Sequence, residues 1–464
     1  MKKIAILLTS LLIAFISGCQ DHNLEPHPED VMAWQAGGPG YDIGTSIAVD
    51  KSGNIYTTGH FKGTATFGTT TLTSKGEDDV FIVKYNSNGD VLWAKNEGGV
   101  GYDLGQDISV DINGNVYVIG RFQKSATFGT TTIVSNGSIH IFDVIDIFIA
   151  KYSSNGEFQW VQQLGGNGND FGQSITVDES GNVYVTGYFG EKITVGSTTL
   201  NSNDVSDVFV AKYNTNGEGQ WVKIAASLVR SFGEVDEGQG ITVDKSGNVY
   251  VTGIFNGTIF FGTTPLTSSG ASDIFIAKYN ATGDLQWAQR AGGSRSDRGN
   301  SITVDQNNNI YVTGYFHHNA TFGSKVLLGE GGPNFFLAKY SSSGDIQWVQ
   351  NIENANGLSI ALDNKDDVYI SGNYSHIATF GTTTFTTASI FDRDMFIAKY
   401  NSMGAFQWAQ TAGAKNGLED GLGVAVDEDK NVYVIGTFLG PATFGTTTLN
   451  SSGSNNIFVA KYKQ

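Results

Sequence analysis

The chain has 464 residues, a net charge of −17, 60 glycines, six prolines and one cysteine. That balance argues against duplex or polyphosphate partners, which need clustered Lys and Arg. A single cysteine permits neither an intrachain disulfide nor a thiolate metal cluster.

The first element is Lys2 and Lys3, an apolar run from Ile4 to Ile16, then Ser17, Gly18 and Cys19. The run is shorter than the ~20 residues of a spanning helix, so residues 1–18 read as a signal peptide. Small residues before the cysteine, with Ile16 three positions upstream, resemble a bacterial lipobox and make Cys19 the expected lipidation site. By the same resemblance, Gln20 in place of an Asp favours the outer membrane, with its periplasmic or surface side left open. Residues 19–30 carry acids and two prolines without apolar periodicity, and read as the lipidated Cys and a flexible tether.

From 31 to 464 the sequence repeats, which overrides the length-based expectation of two or three domains. Each unit reads as in 174–223: SITVD, NVYVTGYF, a Thr-rich excursion, DVFVAKY and QWVK. These are short β-rich runs bounded by Gly, Asn and Asp, and are expected to form four strands, A to D. Strand A alternates Ile or Val with small residues (Ala48, Ser109, Thr176), as an innermost strand requires. The A–B turn begins with Asp (50, 111, 178, 244, 305, 363, 427), an acceptor for turn amides. Strand C ends in Lys-Tyr, and its lysines are expected to pair with acids along unit edges. Trp marks strand D at 34, 93, 160, 221, 287, 348 and 408, where its ring can cover a seam and its N–H reach a neighbouring carbonyl.

Trp34 has no repeat before it, and the last repeat stops at FVAKYKQ, where its own D strand is due. The first segment therefore fits the final gap. The expected fold is all-β, a seven-bladed β-propeller with four-stranded blades, closed by an N-terminal strand that completes the last blade. The single domain spans 31–464, with 31–38 as closing outer strand and blades at approximately 39–98, 99–165, 166–226, 227–292, 293–352, 353–412 and 413–464 plus 31–38.

The phrase VDxxGNVYVTGYF…ATFG…DxFIAKYNxxGxxxW resembles the bacterial seven-bladed β-propeller repeat family, SBBP, over nearly all of 31–464. The resemblance implies a fold and says little about activity, its members being mostly uncharacterised secreted or surface proteins. YNATGDLQW is more weakly similar to pyrroloquinoline-quinone-type propellers, which include dehydrogenases and an outer-membrane assembly scaffold.

Intervals show where the repeat varies. Strand A to strand B Tyr is nine residues throughout, and strand C Phe to Trp is twelve. The interval from Phe-Gly marker to strand C Phe is usually fourteen but stretches to twenty (Phe128 to Phe148), and Trp to strand A ranges from twelve to twenty (Trp348 to Ile360, Trp221 to Ile241). The B–C and D–A connections share one face, so that face is expected to carry function. It carries Asp42, Asp103, Asp170, Asp236, Asp297 and Glu419 before strand A, and Asp79, Asp146, Asp207, Asp273 and Asp394 before strand C. These acids either cap their turns or form a ligand or cation face, with calcium or magnesium the fitting ions and no cofactor otherwise expected. His140, Asp143, Arg230, Glu234, Arg295 and Arg298 mark unit-specific partner loops.

Neither His-Glu-x-x-His nor a nucleophile elbow in a suitable context occurs. The expected function is a non-catalytic, monomeric, lipid-anchored envelope protein that presents this acidic face to a protein or glycan. The alternatives are a glycan hydrolase or lyase using Asp236 or Asp297, and an outer-membrane assembly scaffold.

Overall fold

A computed structural model describes residues 27, 30–136, 144–202, 205–227, 235–415, 417–452 and 454–464. The expected signal peptide and Cys19 lie outside them, as do His140, Asp143, Arg230 and Glu234. The fold is an all-β propeller, with no α-helix among the described residues. Strand A of each unit touches strand A of the next all the way round, and Asp420–Val426 touches Ile43–Val49 to close the ring.

The expectation of seven separate four-stranded blades is corrected by the strand pairing. Five sheets of four or six strands stand apart as blades, while the strands near both chain ends run together into one ten-stranded sheet. That sheet contains two A-to-D runs, joined where Ala36 and Gly37 pair with Phe67 and Thr66. The cause is the Thr-rich excursion, which folds into a hairpin of its own and adds strands that the four-strand reading lacks. In the first unit Ile55–Phe67 continues unbroken from strand B into the hairpin and reaches the preceding outer strand. Later hairpins form separate short strands, such as Ser125–Phe128, which pairs with Gly98 and Gly99. Each hairpin buries its marker side chain, aromatic in all but the third unit's Val195: Phe67 packs on Phe81 at 4.8 Å and Phe128 on Phe148 at 4.4 Å.

The core lies between units, where broad β faces meet. Tyr56, Val80 and Ile82 of the first unit bury against Ile108, Val118 and Phe148 of the second. Tyr433, Ile435, Ile457 and Val459 close the circle against Ile47, Phe61 and Phe81. The N-terminal strand Val31–Gly37 does supply the outer strand after Asn456–Tyr462, pairing from Val31↔Tyr462 to Ala36↔Ile457. Its register differs from the other outer strands. Lys84 faces Trp93 across a bulge, but Lys461 faces Met32 and Trp34 faces Val459. Trp34 therefore lies against Tyr85 rather than a strand B tyrosine.

Candidate functional site

The two faces of the ring are built differently. On the A–B turn side one hydrogen-bonded node recurs. Asp178 accepts from Ser180 N at 2.9 Å, Asn182 N at 2.9 Å, Asn182 Nδ2 at 2.8 Å and the Tyr184 hydroxyl at 3.0 Å. The strand C lysine lies over the strand B tyrosine ring, as Lys151 does 5.0 Å from the Tyr117 centroid. Its ammonium and the strand D indole then donate to one carbonyl of the next unit: Lys151 Nζ and Trp160 Nε1 reach Thr215 O at 3.0 and 3.1 Å. The expected pairing of these lysines with edge acids is thus mostly replaced by a ring face and a carbonyl. Lys339 with Asp305 (3.6 Å) and Lys399 with Asp367 (3.1 Å) keep an acid as well. Asp, Tyr, Lys and Trp recur because together they tie each unit to the next.

On the other face, the acids expected either to cap turns or to form a ligand or cation face lie in the joints between units, all buried except the half-buried Asp394. The acid before strand C of one unit meets the acid before strand A of the next. A Cβ on Gly98 would come within 2.8 Å of Asp103 Oδ2 and 3.0 Å of Asp79 Oδ1, and one on Gly292 within 2.8 Å of both Asp297 Oδ2 and Asp273 Oδ1. Gly98 and Gly292 also have φ of 144° and 137°, so glycine is required there. In each joint the strand A acid caps two backbone amides: Asp103 accepts from Gly99 N at 2.6 Å and Gln123 N at 3.3 Å, and Asp297 from Gly293 N at 2.6 Å and His317 N at 2.9 Å. Asp42 and Asp170 do the same with Gly38 and Lys62, and with Gly166 and Gly190. Asp236 accepts from Ser227 Oγ and Asn256 N, while Ser227 N donates to Asp207.

The strand C acids use one oxygen. Asp79 Oδ2 takes Lys75 N, Asp146 Oδ2 takes Asn136 and Gln163, Asp273 Oδ2 takes Ser269 N and Arg290, and Asp394 Oδ2 takes Tyr374. The Oδ1 atom of each is buried without a partner. Burial first, then the facing carboxylate, pushes Asp103 and Asp297 up to about 7, and Asp170 and Glu419 up to about 8. Asp42, whose joint partner is Asn456, rises only to about 6. Opposite Asn334 stands Ala355, so that joint has lost both acids. The carboxylates thus gather in twos; among the described residues no His, Cys, Asp or Glu group of three or more is placed to hold a metal.

The non-repeating chemistry lies closer to the axis, at the channel mouth. There the residue before the strand A glycine faces a strand B residue: Ile43 with His60, Phe171 with Tyr188, Arg298 with Tyr315, Asp420 with Thr437. The pair just inside is always Gly with Gly, as Gly44 with Gly59 and Gly421 with Gly436, because the strand C Phe packs against strand B there. Phe171 and Tyr188 stack at 4.6 Å, and the Arg121 guanidinium sits 5.0 Å above Phe171. Arg298 pairs with Glu237 at 3.1 Å, and Arg393 with Asp420 at 2.7 Å. Below the mouth the channel opens into a cavity of about 510 Å³ lined by strand A amides and hydroxyls, including Gln106, Gln173, Asn300 and Ser359. A second space of about 350 Å³ adjoins Phe171 and Tyr188.

Of the residues expected on partner loops, Arg298 reaches this mouth, while Arg295 is exposed on the neighbouring D–A connection. Sequence reasoning missed Arg121, Phe171, Tyr188, Tyr315 and Asp420. The signal was present: the residue before each strand A glycine and the one after each strand B glycine change in nearly every unit, beside fixed neighbours.

A ring of β-sheets around a channel, with a repeated turn side and an irregular mouth, defines a β-propeller repeat protein. The SBBP family, described as "Beta-propeller repeat", matches residues 34–60, 159–188, 220–261 and 286–318, and a domain of unknown function (DUF5122) beta-propeller matches 192–218. SBBP repeats thus recur along this chain. It is 27% identical, over 92% of its length and 38% of the other's, to "Uncharacterized WD repeat-containing protein L264" of Acanthamoeba polyphaga mimivirus. It is 24% identical, over 84% of its length and 43% of the other's, to "Regulatory protein FlaEY" of Caulobacter vibrioides. The chain thus spans about two fifths of each relative. Among solved structures, proteins of unknown function from Dyadobacter fermentans and Bacteroides caccae match with TM-scores of 0.43 and 0.37 at 10% and 11% identity. The first match covers 93% of this chain and 98% of the other, and the second 71% and 89%.

Proposed function

We propose that this β-propeller repeat protein is a non-catalytic binding or scaffold protein of the bacterial envelope. It is lipid-anchored through Cys19 and presents its mouth face, with the B–C and D–A loops, to a protein or glycan. The observation supporting this reading is the contrast at the mouth: the residue pair there changes chemistry around the ring, while the Gly pair beside it and the turn-side nodes repeat. Packing alone would make neighbouring units alike, whereas a surface shaped to one partner breaks their equivalence.

Immobilised full-length protein should retrieve a partner from a detergent-solubilised envelope fraction. Phe171→Ala combined with Arg298→Gln should remove it, and Asp178→Asn on the opposite face should not. Equal retrieval by all three proteins would refute the reading. For the anchor, labelled palmitate should enter the wild-type chain and not Cys19→Ala.

A further inference from the structure

We infer that the channel mouth binds an acidic saccharide of the uronate type, its carboxylate on Arg121 and its hydroxyls on the polar groups below; this rests on the binding role proposed for the same face. Three arginines border the mouth. Arg298 has Glu237 and Arg393 has Asp420, both within ion-pair distance. Arg121, half-buried across from Leu104, lies over the Phe171 ring, and its guanidinium has no hydrogen bond or ion pair among the described residues. Its burial holds its pKa below the ordinary guanidinium value. A desolvated guanidinium without an anion is unfavourable, and its planar fork of five donors is shaped for a carboxylate.

The groups around it do not neutralise it. His60 is lowered to about 4 by burial and then by the Arg121 charge, so it is an uncharged imidazole at neutral pH. Tyr188 is a phenol, raised to about 12 by burial.

Beneath the mouth most of the cavity's hydrogen-bonding groups are uncharged, and its two charged side chains, Asp107 and Arg298, are already partnered. Asp107, half-buried on its lining, accepts from Ser46 Oγ at 2.6 Å, Ser174 Oγ at 2.8 Å and Ile175 N at 2.9 Å. Gln106, Gln173, Ser301 and Ser359 line the remainder. His60 Nδ1 and Asn356 Oδ1, also on the lining, are buried polar atoms without a partner. A volume of about 510 Å³ falls within the ~300–1,000 Å³ of small-molecule sites. Tyr315 adds a flat ring with a polar tip. One carboxylate and several hydroxyls on a compact ring match this set.

The test is calorimetric titration of the full chain with matched pairs, galacturonate against galactose and glucuronate against glucose, at low and high salt. At least one uronate should bind about tenfold more tightly than its neutral twin and weaken with salt. Arg121→Gln, shown by its unfolding curve to be folded, should bring that uronate down to its neutral twin, with Arg121→Lys intermediate. Equal affinity of the twins, no binding of either uronate, an unchanged preference in Arg121→Gln, or equal binding of a hexaglutamate peptide would each overturn the proposal. Loss of uronate binding as an idea would leave envelope retrieval through the mouth standing, so the two readings fail separately.

Discussion

The turn side and the mouth side of this ring are made from the same strands, yet they follow opposite rules. On the turn side Asp, Tyr, Lys and Trp repeat, and each node ends on a carbonyl of the next unit, as Lys84 and Trp93 both do on Ser154 O. On the mouth side Glu237, Arg298, Phe171 and Asp420 occupy equivalent positions with unrelated chemistry. Between the two lie joints of paired acids, regular in position and strained in charge. Repetition marks what holds the ring together, and its loss marks what the ring is for.

The largest effect should come from the element on which both faces depend. Deleting residues 31–38 uncovers the edge of Asn456–Tyr462, and should lower the melting temperature by more than about 10 °C or cause aggregation. Next, Asp178→Ala removes an acceptor of four hydrogen bonds and should cost about 2–3 kcal/mol in urea unfolding without altering retrieval. If it abolished retrieval and left stability intact, the division of labour would be reversed.

The joints sharpen the comparison through pH. Asp103, Asp170 and Asp297 have folded pKa values near 7 to 8, against an ordinary carboxylate value of 3.8. The folded state therefore holds protons that the unfolded chain has released, and stability is fullest below pH 4 for these groups and declines as pH rises through 7 and 8. Asp79→Asn copies the joint in which Asn456 faces Asp42. It should flatten that decline and add about 1 kcal/mol at pH 8, read from unfolding curves at pH 5.5 and 8. The smallest stability effect belongs to the mouth: Phe171→Ala or Arg298→Gln should change unfolding by less than about 1 kcal/mol while weakening retrieval.

Much of the scaffold was legible because repetition multiplies a weak signal. Strand roles, the small residues of strand A and the indole bond to a neighbouring carbonyl all follow from local patterns that recur. The hairpins did not stand out, since Thr-rich segments such as Thr64–Phe67 alternate exposed and buried side chains over only a few residues. Their pairing with the preceding outer strand is what joins the chain ends into one sheet. The shift of Trp34 was visible as three residues to Gly37 where Trp93 to Gly98 has five, but its meaning needed the register. The acids and their capping role were found but not their pairing, because each one's partner lies in the next unit, out of reach of a pattern read within one. The mouth was overlooked because attention went to loop length, whereas the variation that matters there is substitution at fixed length.

The central claim is that stability resides in the repeated face and recognition in the irregular one. It is tested most directly by measuring thermal unfolding and envelope retrieval together on Asp178→Ala and on Phe171→Ala/Arg298→Gln. The account predicts a lower melting temperature with retained retrieval for the first, and an unchanged melting temperature with lost retrieval for the second. Parallel loss of both properties in both variants would contradict it.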